Sequence, residues 1–136
     1  MGRIFSIHEY DLRSDVEGAD FERELRQGGA SGILQIPGLV SHQFGRGVKG
    51  ARLGGHAALW IYESRDAWER LWGPPERPLP PEAYPPDWRR WEEILSPFLA
   101  VSAHTVRFTA YEEIESMSPA DLARPHFGRR TPEKAE

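Results

Sequence analysis

The chain has 136 residues, 39% of them hydrophobic, no cysteine, and a formal net charge of -4 from 17 basic and 21 acidic side chains. That length and apolar content suit one compact core and not two, and the acidic balance offers no positive field to a phosphate backbone or an anionic membrane. No disulfide, thiolate metal site or Cys nucleophile is available, no stretch approaches the roughly 20 apolar residues of a membrane helix, and residues 1–10 lack a secretion signal's charged start and apolar run. The expectation is a cytoplasmic protein that binds neither nucleic acid nor membrane.

Arg3 to Leu12 (RIFSIHEYDL) alternates with the period of a strand, Phe5, Ile7 and Glu9 on one face and Ile4, Ser6, His8 and Tyr10 on the other. Phe5 and Ile7 suit the face covered by helices, which leaves His8 on the open face. A polar turn through Ser14 to Gly18 follows. From Ala19 onward, Phe21, Leu25, Gly29 and Ile36 fall at helical spacing, with Asp20 and Glu22 near the positive end. Either this helix ends near Gln27, or Gly28 and Gly29 let it approach the sheet closely.

Pro37-Gly38 marks a turn, and Leu39 to Gly45 alternates Val40, His42 and Phe44 against Ser41 and Gln43 as a second strand. The Gly-rich stretch from Arg46 to Gly55 reads as a hairpin connection into His56 to Glu63 (HAALWIYE), a third strand paired with the second. Ser64 caps a helix from Arg65 whose apolar stripe is Trp68, Leu71 and Trp72 and which Gly73-Pro74 ends. Residues 74–86 hold seven of the chain's 12 prolines and read as an extended loop or lid. Asp87 caps a short helix with Trp88, Trp91 and Leu95 on one side, ended by Pro97. Phe98 to Tyr111 supplies the last strand. Residues 1–113 thus form the domain, and residues 114–136 a weakly packed polar tail, with His126 solvated within it.

The order strand, helix, strand, strand, helix, strand is that of a split βαβ fold, an α+β arrangement of one antiparallel four-stranded sheet with helices on one face. The stretches IPGLVSHQF and ALWIYESRDAWERLWG are more specific. They resemble the matching parts of antibiotic-biosynthesis-monooxygenase-like, stress-responsive-barrel and EthD-like members of the dimeric α/β-barrel (ferredoxin-like) superfamily. The resemblance covers roughly Ile4 to Glu113. It implies a homodimer whose open sheet faces close into a barrel, and a cavity used for cofactor-free oxygenation, cyclisation or isomerisation of aromatic or polyketide-like carbonyl compounds. HAALWIYE, apolar on both faces, independently calls for cover on both.

His8 is the first candidate for catalysis: a neutral imidazole in a semi-apolar pocket can take a proton from a phenol or activated carbon, and Tyr10 can orient a carbonyl with its hydroxyl. The competing role for His8 is a hydrogen-bonded interface histidine. His42 and Arg107 complete the catalytic candidates, Arg107 either clamping a carboxylate or enolate or forming an ion pair across the sheet. Ser6, Phe44, Trp60, Tyr62 and His104 are the candidate pocket residues, whereas Trp68, Trp72, Trp88 and Trp91 suit a core. The histidines lack the i, i+4 spacing of a helical metal site, so no metal is expected, and the resemblance implies no tightly bound organic cofactor. GRGVKGARLGG fits no phosphate-binding pattern. A non-catalytic dimer that binds a ligand or a protein is the alternative to the enzyme.

Overall fold

A computed structural model of the chain describes residues 2–115 and Ala120. Of the expected tail, residues 114–136, only Ile114, Glu115 and Ala120 are described, and His126 lies outside the described residues. Strands β1 (Ile4–Tyr10), β2 (Leu39–Arg46), β3 (His56–Tyr62) and β4 (Arg107–Glu112) and helices α1 (Gly18–Ala30), α2 (Arg65–Trp72) and α3 (Pro86–Leu95) follow one another as β1-α1-β2-β3-α2-α3-β4. The sheet order is β2-β3-β1-β4 with every pair antiparallel. This is the ferredoxin-like α+β fold that the element order predicts. Among the described residues no helix is long and apolar enough to cross a membrane.

The faces of β1 are reversed relative to the sequence reading. Ile4, Ser6 and Tyr10, at 3%, 2% and 3% exposure, point into the helix layer with His8, while Phe5, Ile7 and Glu9 lie on the open face. The strand is apolar on both sides, so alternation separates its faces without saying which is covered. Pairing decides it: Ser6 lies opposite Trp60 and Ile4 opposite Tyr62, both fully buried on β3.

Helix α1 runs on to Ala30 and includes Gly28 and Gly29. A Cβ on Gly28 would collide with the Trp91 ring of α3, and one on Gly29 would come within 3.2 Å of Phe44 and 3.3 Å of His42. The glycines therefore serve close approach, the second of the two alternatives. Phe21 and Leu25 of the same helix fill the core. Helix α2 is capped as expected, Ser64 Oγ accepting from the Ala67 N–H at 3.1 Å.

Two boundaries differ from expectation. Helix α3 starts at Pro86 with Pro85 in the capping position, so Asp87 lies in the first turn and is not the cap. Proline suits that start, its φ being preset and its missing N–H needing no partner there. The last strand is shorter than Phe98 to Tyr111: Ser96–Phe98 and Ala103–Thr105 are single 3-10 turns. The Thr105 N–H and hydroxyl both donate to the Ser102 carbonyl, at 2.9 Å each, which closes a turn in place of a ladder. His104 consequently sits on a turn and not on a strand.

Candidate functional site

A cavity of about 90 Å³ lies between the sheet and the helix layer. Its sheet side is Ser6 and His8 of β1, Tyr62 of β3 and Phe108 of β4. Trp68, Trp72, Trp88 and Glu92 of α2 and α3 oppose them, and Tyr84, Ala103, His104 and Val106 complete the rim. The proline-rich segment forms a 3-10 turn at Pro81–Ala83 and so presents Tyr84, whose ring meets Trp72 edge-on at 5.0 Å. Trp72 in turn packs on Trp88 at 5.1 Å and on Tyr62 at 6.4 Å. The walls are thus aromatic, with few polar atoms, the usual composition of a small-molecule pocket.

His8 stands in an aromatic cage, 5.4 Å from Phe108, 5.8 Å from Trp60 and 5.9 Å from Trp88 between ring centroids. Its ring nitrogens take no hydrogen bond from the described residues. Burial disfavours the imidazolium and lowers the pKa to about 4, so the ring is neutral at pH 7 with a nitrogen lone pair available. Glu92 is the cavity's carboxylate. Burial raises its pKa, and this is opposed by the Trp88 Nε1–H, which donates to Oε2 at 3.1 Å, and by His104. Burial also holds the Tyr62 hydroxyl protonated well above the usual phenol range.

Of the residues singled out from sequence, Ser6, His8, Tyr62 and His104 meet in this cavity. Trp60, fully buried, packs behind His8 as a floor and does not line the space; its Nε1 is buried without a partner. Tyr10 faces the helices but lies further along β1, against Phe21 at 5.5 Å. His42 and Phe44 are on the α1 side of the sheet, packed on each other and on Trp60, with Phe44 stacked on Trp91 at 5.5 Å. Arg107 is on the open face, its guanidinium 3.1 Å from Glu9 and 3.3 Å from Asp11, the ion-pair arrangement of the two considered.

Sequence reasoning missed Trp68, Trp72 and Trp88 as cavity walls, along with Tyr84, Glu92 and Phe108. Helical spacing correctly assigns those tryptophans to the inner side of their helices, but a void next to them leaves no trace in periodicity. Glu92 did carry a signal: it lies four residues after Trp88, at the edge of an otherwise apolar stripe.

A second polar cluster lies apart. Glu22 of α1 receives the Arg46 guanidinium at 2.7 Å through both Nε and Nη2, and lies 2.8 Å from His56 Nε2. Arg46 and His56 hold the Glu22 carboxyl down at about 2. The cluster ties α1 to β2 and β3. Among the described residues no three His, Asp or Glu side chains are grouped to hold a metal ion.

No protein-family model matches the chain, and no curated protein matches it in sequence. Solved structures do match in fold. SnoaB from Streptomyces nogalater, a cofactor-independent oxygenase, superposes with a TM-score of 0.55 at 13% identity over 86% of this chain and 98% of its own. A protein from Bordetella bronchiseptica described as a putative antibiotic biosynthesis monooxygenase gives 0.56 at 13% identity over 85% and 100%. A dimeric ferredoxin-like protein of unknown function from Thermobifida fusca gives 0.56 at 18% identity over 82% and 92%. The chain therefore shares the ferredoxin-like fold of these proteins.

Proposed function

We propose that the chain is a homodimeric enzyme that binds a small hydroxylated aromatic or carbonyl compound between sheet and helices and removes a proton from it, without an organic cofactor. The observation that carries this reading is His8: neutral, without a hydrogen-bond partner among the described residues, and caged by aromatic rings in a cavity lined by few other polar groups. His8 accepts the proton of a phenol or enol, and the resulting imidazolium, disfavoured alone, is stabilised by the adjacent substrate anion. Ser6 and Tyr62 are placed to donate hydrogen bonds to that anion. The deprotonated aromatic is electron-rich, the form to which dioxygen adds, and the fold neighbours that include an oxygenase support this choice among proton-abstraction reactions.

The space of about 90 Å³ favours the reactive ring of a substrate over a whole polycycle, since pockets for drug-sized ligands run to about 300 Å³ or more. Homodimerisation is supported by the open face, where Phe5 and Tyr111 stack at 5.3 Å, Ile7 is 36% exposed, and Leu59 and Ile61 complete an apolar strip. Neighbours of the same fold are described as dimeric.

Oxygen uptake with a panel of one- and two-ring phenols and hydroquinones tests the reading. The expected result is consumption by the wild type and loss of about 10²-fold or more in His8→Ala. Equal turnover by His8→Ala overturns the assignment of the base. Binding of the phenols without any reaction favours the second reading, a ligand-binding dimer, to which the unusually low proton affinity of His8 also points.

A further inference from the structure

The aromatic cavity adjoins a second space. An outer hollow of about 450 Å³ lies against Pro81, Glu82, Arg89 and Ser96, and it shares Glu92, Ala103 and His104 with the inner cavity. Glu92 and His104 are the titratable groups common to both, so the partition between the buried ring cage and the outside is polar and ionisable at one place. His104 is exposed, while Glu92 is partly buried and tied by the Trp88 indole, whose ring also packs against His8 at 5.9 Å.

We propose that Glu92 is the second proton-handling group of the cavity, passing the proton that His8 removes from a bound phenol or enol to His104 and the outer hollow. The inference rests on the proton-abstraction reading above. A proton left on His8 has no other ionisable neighbour on the cavity wall except Glu92, His104 and the high-pKa Tyr62 and Tyr84 hydroxyls. His8 and Glu92 both line the inner cavity, so a single water held beside the bound ring, needing about 10–15 Å³, can join them. The step balances without redox: the His8 N–H bond breaks as a Glu92 O–H bond forms, and the O–H proton then leaves to the His104 imidazole or to water. Burial lowers the proton affinity of His8 and raises that of Glu92, which brings donor and acceptor towards each other and suits transfer in either direction. The charged and titratable groups that line the two spaces with Glu92 are His8, Tyr62 and Tyr84 in the inner cavity, Glu82, Arg89 and Glu93 in the outer hollow and His104 in both, and the Tyr10 hydroxyl, outside the cavity, also interacts with its charge. Arg89 is engaged with the Glu82 carbonyl at 2.9 Å.

Glu92→Gln tests the proposal, because the amide oxygen still accepts from the Trp88 indole while the proton-carrying carboxylate is gone. In oxygen uptake we expect kcat to fall about 10²-fold with KM little changed, and formate to restore part of the loss. Full activity in Glu92→Gln alongside an inactive His8→Ala overturns the relay and leaves the base intact. A second measurement needs no turnover: 4-nitrophenol, whose phenol and phenolate differ in colour, is bound and the pH is jumped. The bound probe should reionise at a rate independent of buffer concentration in the wild type and limited by buffer in Glu92→Gln and His104→Gln. Equal, buffer-independent rates in all three proteins overturn the relay whatever the enzyme assay gives, and failure of the probe to bind removes the cavity as a phenol site and the relay with it.

Discussion

Helix α1 offers a controlled test of how tightly the helix layer is packed. Gly28 and Gly29 are adjacent on one helix, so replacing either by alanine gains a similar helix-propensity contribution, about 1 kcal/mol in a helix interior. Their surroundings differ. A methyl on Gly28 enters the Trp91 ring, with a second ring carbon at 3.0 Å, and Trp91 is 1% exposed, stacked by Phe44 at 5.5 Å and abutted by Trp60 at 6.0 Å. It has nowhere to go, and overpacking of this kind costs about 1–3 kcal/mol. A methyl on Gly29 meets only the edges of Phe44 and His42, at 3.2 and 3.3 Å, two partly exposed side chains that can shift by the few tenths of an ångström required. Gly28→Ala should therefore be less stable than the parent by about 1 kcal/mol, Gly29→Ala as stable or more so, and the two separated by about 2 kcal/mol. Urea unfolding followed by tryptophan fluorescence, with equal slopes for all three proteins, gives the differences directly. Gly28→Ala matching or exceeding Gly29→Ala would refute the wedged-indole argument.

The remaining predictions concern acid stability, a cap, the rim and the open face. His8, depressed from 6.5 to about 4, stays neutral in the folded protein while the unfolded chain takes up a proton, so stability declines as pH falls from 6.5 towards 4, by roughly 3 kcal/mol in all; urea midpoints for His8→Phe should lack that decline. Glu22, held at about 2, acts in a lower window, its contribution present above its ordinary value near 4.5 and lost as pH falls towards 2; Glu22→Gln should flatten the stability profile there and not above pH 5. Ser64→Ala should cost about 1 kcal/mol of unfolding free energy through loss of the bond to the Ala67 N–H, and no change would mean water replaces the cap fully. Tyr84→Ala removes the ring that closes the cavity against Trp72, and should speed release of a bound phenol in stopped-flow; an unchanged release rate would mean that Tyr84 does not close the cavity. Leu59→Arg on the open face should give a monomer by sedimentation, and a variant that remains dimeric would place the interface elsewhere.

The elements were legible because each carries its own periodicity: β3 alternates over His56 to Tyr62, and Ser64 and Gly73 bracket α2. The facing of β1 was not legible. Ile4, Phe5, Ile7 and Tyr10 give it two apolar sides, and only pairing with Trp60 and Tyr62 tells them apart. That reversal is what brings His8 from the open face into the helix layer, where it meets Trp88, a residue 80 positions away in sequence whose stripe reads as plain core. Arg107 was legible as one of two alternatives, because a cation in a strand draws acidic partners from its neighbours, here Glu9 and Asp11. The extent of β4 was not, since Ser102 and Thr105 form a local turn from hydroxyl and carbonyl groups that any extended strand also possesses.

The tryptophans that surround the cavity have an optical consequence. Trp60 lies 4.9 Å from Trp88 and 6.0 Å from Trp91, and Trp88 lies 5.1 Å from Trp72, at steep interplanar angles throughout. Transition dipoles this close are expected to couple, so excitation should migrate among the indoles of this array, and a circular-dichroism couplet in the indole bands would show it. Trp68, Trp72 and Trp88 form part of the cavity wall. A molecule entering beside His8 therefore perturbs the emission of the whole array at once, and the protein carries its own label-free reporter of occupancy.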